Sequence, residues 1–323
     1  MSRFAAPTDE NNRPLTGILF IMFGMALITA NDVLVKFLSG GYPLHQVIFI
    51  RSVVGIAISL VLVQMEGGFQ ILKTRRPALH MARASLLVLA NLCFFMALAA
   101  MPLAEATAIF FVAPLFMTVL SFLILHEPVG IRRVAAILVG FAGVLVMLRP
   151  WDAAGEGPGL LVSLLPMGAA ATFALFNILT RKLGGETKAS AMAIYAQSLF
   201  LVVGAGFYLV AGDGRFAEGT DNPSLVFLLR AWVWPSPQDW VLIITLGVIS
   251  GGAAYSLSQA YRSAPAGTVA PFEYVALPLS VVWGYVVFGE LVDPDGAFGM
   301  ILILGSGLYV FWREQRLKRA ASA

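Results

Sequence analysis

Long apolar runs alternate with short polar segments along the whole chain. Ten of these runs are long enough for helices of about 20 residues, the length that crosses a hydrocarbon core about 30 Å thick. The runs are continuously apolar, whereas the strands of a membrane β-barrel would alternate between apolar and polar positions. The pattern predicts an all-α integral membrane protein with transmembrane helices at 15–38, 43–64, 79–99, 103–125, 131–148, 159–181, 188–210, 238–261, 266–289 and 296–313.

The amino-acid composition supports this class and excludes others. Of the 323 residues, 59% are hydrophobic and 12% are charged, whereas average soluble proteins are roughly half apolar and a quarter charged. The net charge is +3, and the cytoplasmic basic residues are spread over six short segments with no single cluster. This distribution indicates membrane topology and not nucleic-acid binding. The lone Cys93 has no second cysteine for a disulfide or a metal site. We expect no cofactor, no metal and no nucleic-acid partner.

The basic residues predict how the helices are oriented. If the N-terminus lies inside, fifteen Lys and Arg residues fall in cytoplasmic segments, whereas the outer segments contain only Arg149, Arg215 and Arg230. This bias follows the positive-inside rule. It predicts a multi-pass protein of the inner (plasma) membrane with both termini in the cytoplasm. The polar stretch 1–14 leads directly into a long span, so no cleavable signal peptide is expected.

A motif of the first half recurs in the second half. Pro102 and Pro265 open equivalent spans, and the interval between them equals the interval between Glu127 and Glu290. Each repeat contains five spans, an odd number, so the two copies have opposite orientations in the bilayer. Inverted repeats of this kind are typical of secondary transporters. The predicted repeats are 1–150, with spans one to five, and 151–323, with spans six to ten.

Further motifs occupy matching or characteristic places in the two halves. They are Ala97–Pro102, Ala260–Pro265, Pro114, Pro278, His126–Pro128, Gly289–Glu290, Gly140–Gly143, Gly305–Gly307, Phe49–Arg51 and Lys36. In these motifs the chain resembles the two EamA repeats of the drug/metabolite transporter (DMT) superfamily over nearly its whole length. Within that family it is similar to the YddG-like ten-helix exporters of aromatic amino acids.

The resemblance implies a transporter that exports amino acids, or related small metabolites, from the cytoplasm by facilitative alternating access. A proton-coupled drug or metabolite efflux carrier is the alternative. A membrane-embedded enzyme is disfavoured because the sequence lacks the common hydrolase and nucleotide-binding motifs, and a channel is disfavoured by the inverted repeat. Small-residue faces on spans five and ten can pack within one chain or between chains. We expect a monomer, with these two helices at the periphery.

Charged residues inside spans are costly, so they usually face the bundle interior or a wet cavity. Asp32 and Lys36 are one turn apart on the first helix. They either neutralise each other or line the pathway, where Lys36 meets a substrate carboxylate. Arg51 has no acidic neighbour within one turn, and both a structural and a substrate-binding role fit it. Arg83 is expected to extend to the cytoplasmic interface from the start of the third helix.

Polar and aromatic side chains on several spans indicate a cavity for an amphipathic solute. Amides and hydroxyls lie on helices three, six and eight, and phenylalanines fill helices three and four. Glu273 lies about two turns inside the ninth helix, where a carboxyl group suits proton coupling or is held by a neighbouring Tyr or Gln. The predicted substrate-binding and pathway residues are Asn31, Lys36, Arg51, Asn91, Phe94, Phe111, Asn177, Tyr255, Gln259, Glu273 and Tyr274.

Two prolines are predicted to act as gating hinges. Pro114 and Pro278 lie at nearly equivalent places in the fourth and ninth spans. Proline removes one intrahelical hydrogen bond and can kink a helix. We therefore expect bends in both helices, acting on opposite sides of the membrane.

Overall fold

The computed structural model describes residues 13–74, 76–125, 130–149, 160–183, 189–264 and 266–322. Within these residues the chain forms ten helical spans, two of them interrupted, and no strand. The spans are α1 (Pro14–Leu38), α2 (Leu44–Glu66), α3 (Pro77–Leu98), α4 (Leu103–Phe110 and Ala113–Leu125), α5 (Ile131–Leu148), α6 (Leu160–Leu183), α7 (Ala189–Ala211), α8 (Pro237–Ser263), α9 (Ala266–Val269, a 3-10 helix Ala270–Val275, and Ala276–Phe288) and α10 (Pro294–Ser322).

The length of these helices fits a bilayer. Among the described residues, nine helices are long and apolar enough to cross a membrane, and α5 contains a shorter apolar stretch, Val134–Leu148. The chain is therefore an all-α, ten-helix membrane protein, as the sequence predicted. Most helix ends lie within three residues of the predicted ones because hydrocarbon thickness sets the length of a span. The exception is α10, which continues past the predicted end to Ser322.

One short helix, Pro223–Leu229, lies in the connection between α7 and α8 and was not predicted. The side chain of Asn222 caps it by accepting hydrogen bonds from the backbone N–H groups of Ser224 and Leu225. Phe227 is buried, and the Ser224 hydroxyl donates to the Met96 carbonyl at 2.7 Å. An Asn-Pro pair before an apolar run is a recognised start signal, so the sequence did contain evidence for this helix.

The two ends of the bundle are named here after residues that mark them. The Lys36 end contains the last turn of α1, the first turn of α2 and the first turn of α4. The Arg13 end is the opposite one, where α1 begins and the Arg13 N–H donates to the Ser263 carbonyl of α8 at 2.9 Å. By the positive-inside prediction, the Arg13 end is cytoplasmic.

The helices pack in pairs that are related between the two halves. α1 packs against α8 and α3 packs against α6, while α2 packs against α7, α4 against α9 and α5 against α10. The predicted repeats relate α1 to α6, α2 to α7, α3 to α8, α4 to α9 and α5 to α10. Under this exchange the α1–α8 pair becomes the α6–α3 pair, and each of the other three pairs is converted into itself. Inverted repeats would give this pattern of pairs, and the division into two repeats stays a prediction. The predicted boundary between the repeats falls within 150–159, which lies outside the described residues. Two parts of the repeat motifs, His126–Pro128 and Pro265, also lie outside them.

Glycines allow α5 and α10 to approach each other closely. A Cβ atom on Gly143 would lie 2.8 Å from the Gly299 carbonyl oxygen, and one on Gly299 would lie 2.7 Å from the Gly143 carbonyl oxygen. Both distances are too short for any side chain. α5 and α10 therefore pack closely within the chain at Gly143 and Gly299, whereas Gly307 of the predicted small-residue run faces Tyr274 of α9.

We expect Gly299→Ala to destabilise the protein by about 1–3 kcal/mol, the usual cost of overpacking a tight contact. The measurement is thermal unfolding in detergent by intrinsic fluorescence. Gly305→Ala on the same helix is the matched control, because a Cβ there meets nothing within 4 Å. Equal melting temperatures for the two variants would contradict the close contact.

The helix interruptions lie just before the two predicted hinge prolines. α4 breaks at Phe111 and Val112, so Pro114 falls in the first turn of its second segment. In α9 a 3-10 stretch ends at Val275, and Pro278 falls in the first turn of the following helix. A proline is tolerated in a first turn because the missing N–H has no helical partner there. The hinge function of both prolines stays a prediction.

Candidate transport pathway

Four phenylalanines form a continuous series of ring contacts, here called the aromatic ladder. The ring of Phe94 on α3 lies 5.1 Å from that of Phe110 on α4. Phe110 lies 5.3 Å from Phe173 on α6, and Phe173 stacks on Phe176 at 5.7 Å, all measured between centroids. The ladder forms because α6 packs against both α3 and α4. These spacings favour aromatic pairing, so the ladder offers flat surfaces on which another ring can stack.

A buried arginine lies at each end of the ladder. The Arg83 guanidinium is 4.4 Å from the centroid of Phe176. At the other end, Phe94 contacts Phe95, whose ring lies 5.4 Å from the Arg51 guanidinium. Each arginine is only 7% exposed. Guanidinium groups are attracted to aromatic faces, and the result is an apolar surface with a cation at either end.

Arg51 lies among polar groups that only partly satisfy it. Its Nη2 is 3.5 Å from the Asn91 Oδ1, and its Nε has no hydrogen-bond partner among the described residues. Asp32 attracts it electrostatically but forms no ion pair with it. Instead, the Asp32 carboxylate accepts a hydrogen bond of 3.1 Å from Asn31, whose Oδ1 accepts one of 2.9 Å from Ser250 on α8. The structure thus brings Asn31, Arg51 and Asn91 into one polar region.

Lys36 does not form the expected pair with Asp32. Its ammonium group lies 2.5 Å from the Glu290 carboxylate and donates to the Met101 carbonyl at 2.6 Å. The other Glu290 oxygen accepts a 2.8 Å hydrogen bond from the Leu103 N–H, the first of α4. We call this group of four residues the Lys36 latch. It joins α1 and α4 of the first half to the end of α9 in the second half.

Phe111 and Tyr274 meet where the two interrupted helices approach each other. Their ring centroids are 5.1 Å apart, and the Tyr274 ring also packs against Gly307 of α10. The neighbouring Glu273 accepts a short hydrogen bond from the Tyr261 hydroxyl of α8. The three predicted residues on α4 and α9 therefore lie together, with Glu273 already bound to a protein partner.

The remaining predicted residues have different surroundings. Asn177 lies on the ladder helix α6, where it donates to the Phe173 carbonyl at 2.8 Å. The Gln259 amide donates to the Tyr255 hydroxyl at 2.9 Å, but Tyr255 is half exposed. It shares one face of α8 with other exposed side chains, namely Val241, Ile244 and Val248. The structure does not bring Tyr255 and Gln259 to the ladder.

Sequence reasoning missed the roles of Arg83 and Glu290. Arg83 does not extend to the interface, because its side chain is buried and its Nε donates to the Thr180 hydroxyl at 2.7 Å. Glu290 was noted only as a position of the internal repeat, and its pairing with Lys36 was not predicted. Its recurrence with Glu127 was the one signal in the sequence that pointed to this residue. No group of three or more His, Cys, Asp or Glu side chains within the described ranges is placed to hold a metal ion.

A bundle of apolar helices around buried charged groups, with two helices interrupted inside the membrane, is typical of secondary transporters. The comparison with known families agrees, since the model of the EamA-like transporter family matches residues 15–149. The chain belongs to this family of membrane transporters.

Relatives of known name align over nearly the full chain. It is 30% identical over 316 residues to a riboflavin transporter of Vibrio cholerae, covering 95% of this chain and 97% of the relative. It is 26% identical to an S-adenosylmethionine uptake transporter of Rickettsia prowazekii, covering 94% of each, and 24% identical to a pseudopaline exporter of Pseudomonas aeruginosa, covering 90% and 93%. A solved crystal structure shares the fold with a TM-score of 0.62 at 19% identity, covering 94% of this chain and 99% of that one.

Proposed function

We propose that the protein carries a small metabolite with a planar aromatic or heteroaromatic ring across the inner membrane, and that riboflavin is the first candidate. The observation that carries this proposal is the aromatic ladder with a buried arginine at either end. A ring can stack on the free faces of the phenylalanines, and the guanidinium groups can donate to oxygen atoms on that ring or on its substituents.

The names of the relatives support this choice of substrate class. Riboflavin has a fused ring system with two ring carbonyls, and S-adenosylmethionine has an adenine ring and a carboxylate. Both combine a stacking surface with oxygen acceptors, which are the two features that the ladder and its arginines recognise. None of the relatives reported above is named as a transporter of tryptophan or phenylalanine, so export of aromatic amino acids is the second candidate. A carboxylate bound by Arg51 or Arg83 is the observation that would favour it.

The transport mechanism that fits this architecture is facilitative alternating access by a monomer. The Lys36 latch closes one end, which by the charge bias faces the outside, and both termini lie in the cytoplasm. Net flux in such a carrier follows the substrate gradient, so uptake and export are the same cycle run in opposite directions. Proton coupling through Glu273 is the alternative mechanism, supported by its position in the interrupted part of α9 and its hydrogen bond from Tyr261.

The test is counterflow into proteoliposomes that contain the purified full-length protein. Vesicles preloaded with unlabelled riboflavin should accumulate labelled riboflavin saturably, and a pH gradient should leave the initial rate unchanged. Labelled tryptophan and S-adenosylmethionine are assayed in parallel. Accumulation of tryptophan alone would replace riboflavin by the second candidate, and a rate that requires the pH gradient would replace facilitation by proton coupling. Absence of counterflow for all three would reject the proposed substrate class.

A further inference from the structure

We propose that Arg83 is a substrate-binding residue that donates hydrogen bonds to an oxygen acceptor of the transported molecule at the Arg13 end of the aromatic ladder. This inference rests on the proposed function and adds a specificity-determining residue to it. Arg83 lies six residues inside α3, about 9 Å along the helix axis at 1.5 Å per residue.

Arg83 is a buried cation without a compensating carboxylate among the described residues. It forms no ion pair among the described residues, and the Thr180 hydroxyl is its hydrogen-bond acceptor. Its Nη1 is buried and has no partner in the described part of the chain. A charge in this position costs several kcal/mol unless something binds it. The transported molecule can supply the missing acceptor.

The Arg83 guanidinium is also held in one orientation. The Nε–Thr180 hydrogen bond and the Phe176 ring, 4.4 Å away, fix the plane of the guanidinium. Phe176 is also the last ring of the ladder, and its two faces are taken by Phe173 and by the Arg83 guanidinium. A ligand ring that stacks on the neighbouring rings of the ladder would therefore place its edge toward the unpartnered Nη1. A guanidinium held in this way recognises carbonyl and carboxylate oxygens with defined geometry. The ligand chemistry is therefore a planar ring that bears an oxygen acceptor at its edge.

The experiment compares riboflavin with two analogues that carry sulfur in place of the ring carbonyl oxygen at position 2 or at position 4. Sulfur is a weaker acceptor, so the wild type should show a KM about tenfold higher for one of the two analogues. Arg83→Gln should raise the riboflavin KM about tenfold at nearly constant kcat, because it removes a binding interaction. It should also abolish the discrimination between oxygen and sulfur. A role limited to holding α3 against α6 would leave that discrimination intact.

Two further variants complete the test. Arg83→Lys keeps the charge but loses the planar fork, and it should also lose the discrimination; this variant carries the test if Arg83→Gln does not fold. Arg215→Gln is the control, because Arg215 is exposed in the connection after α7. Wild-type values for both Arg83 variants would overturn the inference while riboflavin transport stands. Failure of the wild type to transport riboflavin would overturn the inference together with the proposed function.

Discussion

Replacing Glu290 with glutamine is expected to make the Lys36 end open about thirtyfold more often. The substitution removes the negative charge that lies 2.5 Å from the Lys36 ammonium. A hydrogen bond to a charged group is worth about 1.5–3 kcal/mol when partly buried, and about 2 kcal/mol corresponds to a factor of about thirty. The amide oxygen can still accept from the Leu103 N–H, so the α4 start should stay intact while the contact with α1 weakens.

Opening can be measured as the rate at which a membrane-impermeant thiol reagent modifies a cysteine behind the latch. The reporter is Ala104→Cys, a buried position in the first turn of α4 that belongs to the same buried cluster as Leu277 of α9. Cys93→Ser removes the natural thiol. Asp295→Asn is the matched control, because Asp295 is exposed and makes a 3.2 Å pair with Arg149 outside the latch. Equal modification rates for the Glu290 and Asp295 variants would contradict a gating role.

A charge swap should not repair the latch. In the double variant Lys36→Glu and Glu290→Lys, the ammonium group would face the Leu103 N–H and the carboxylate would face the Met101 carbonyl. Both contacts are repulsive, since the backbone of α4 fixes which side must donate and which must accept. In the swapped protein, the reporter cysteine at position 104 should therefore be modified as fast as in the Glu290→Gln variant. A simple ion pair without backbone partners would instead recover the slow rate.

The second large effect is expected at the middle of the aromatic ladder. Phe173→Leu should lower kcat/KM for riboflavin about thirtyfold, because stacking on an aromatic side chain contributes about 1–3 kcal/mol per heterocyclic base. Leucine keeps most of the side-chain volume, so the fold should lose less than about 1.5 kcal/mol. Phe173 is the residue to change because it contacts the rings on both sides of it, Phe110 and Phe176.

Counterflow of labelled riboflavin measures this effect, with thermal unfolding as a check on stability. The control is Phe298→Leu on α10, since Phe298 is exposed on the outer surface of the bundle. It should transport like the wild type. Equal losses in both variants, or wild-type transport by Phe173→Leu, would show that the substrate does not stack on the ladder.

The sequence predicted the helices far better than the site. Span positions depend on local hydrophobicity and on a fixed bilayer thickness, and both can be read from neighbouring residues. The Lys36–Glu290 pair depends instead on where α1 and α9 meet, which helix periodicity does not contain. For that reason Asp32, the acidic residue one turn away, was the expected partner of Lys36, although the structure pairs Lys36 with Glu290.

The surroundings of Arg83 could not be predicted from neighbouring residues either. A long cationic side chain near the start of a span normally extends to the interface, and no local feature of α3 indicates otherwise. Its burial results from Thr180 and Phe176, which lie on α6 in the other half of the chain. By contrast, the prolines of α4 and α9 act locally, and the interruptions were located to within a few residues.

The symmetry of the helix pairs also bears on the energy balance of the transport cycle. Because α2 packs on α7, α4 on α9 and α5 on α10, a state closed at the Arg13 end would reuse equivalent contacts with the halves exchanged. In the proposed cycle, the packing free energies of the two states are then nearly equal. The difference that remains is comparable to one side-chain interaction, so a single pair such as Lys36 and Glu290 is enough to decide which end is closed most of the time.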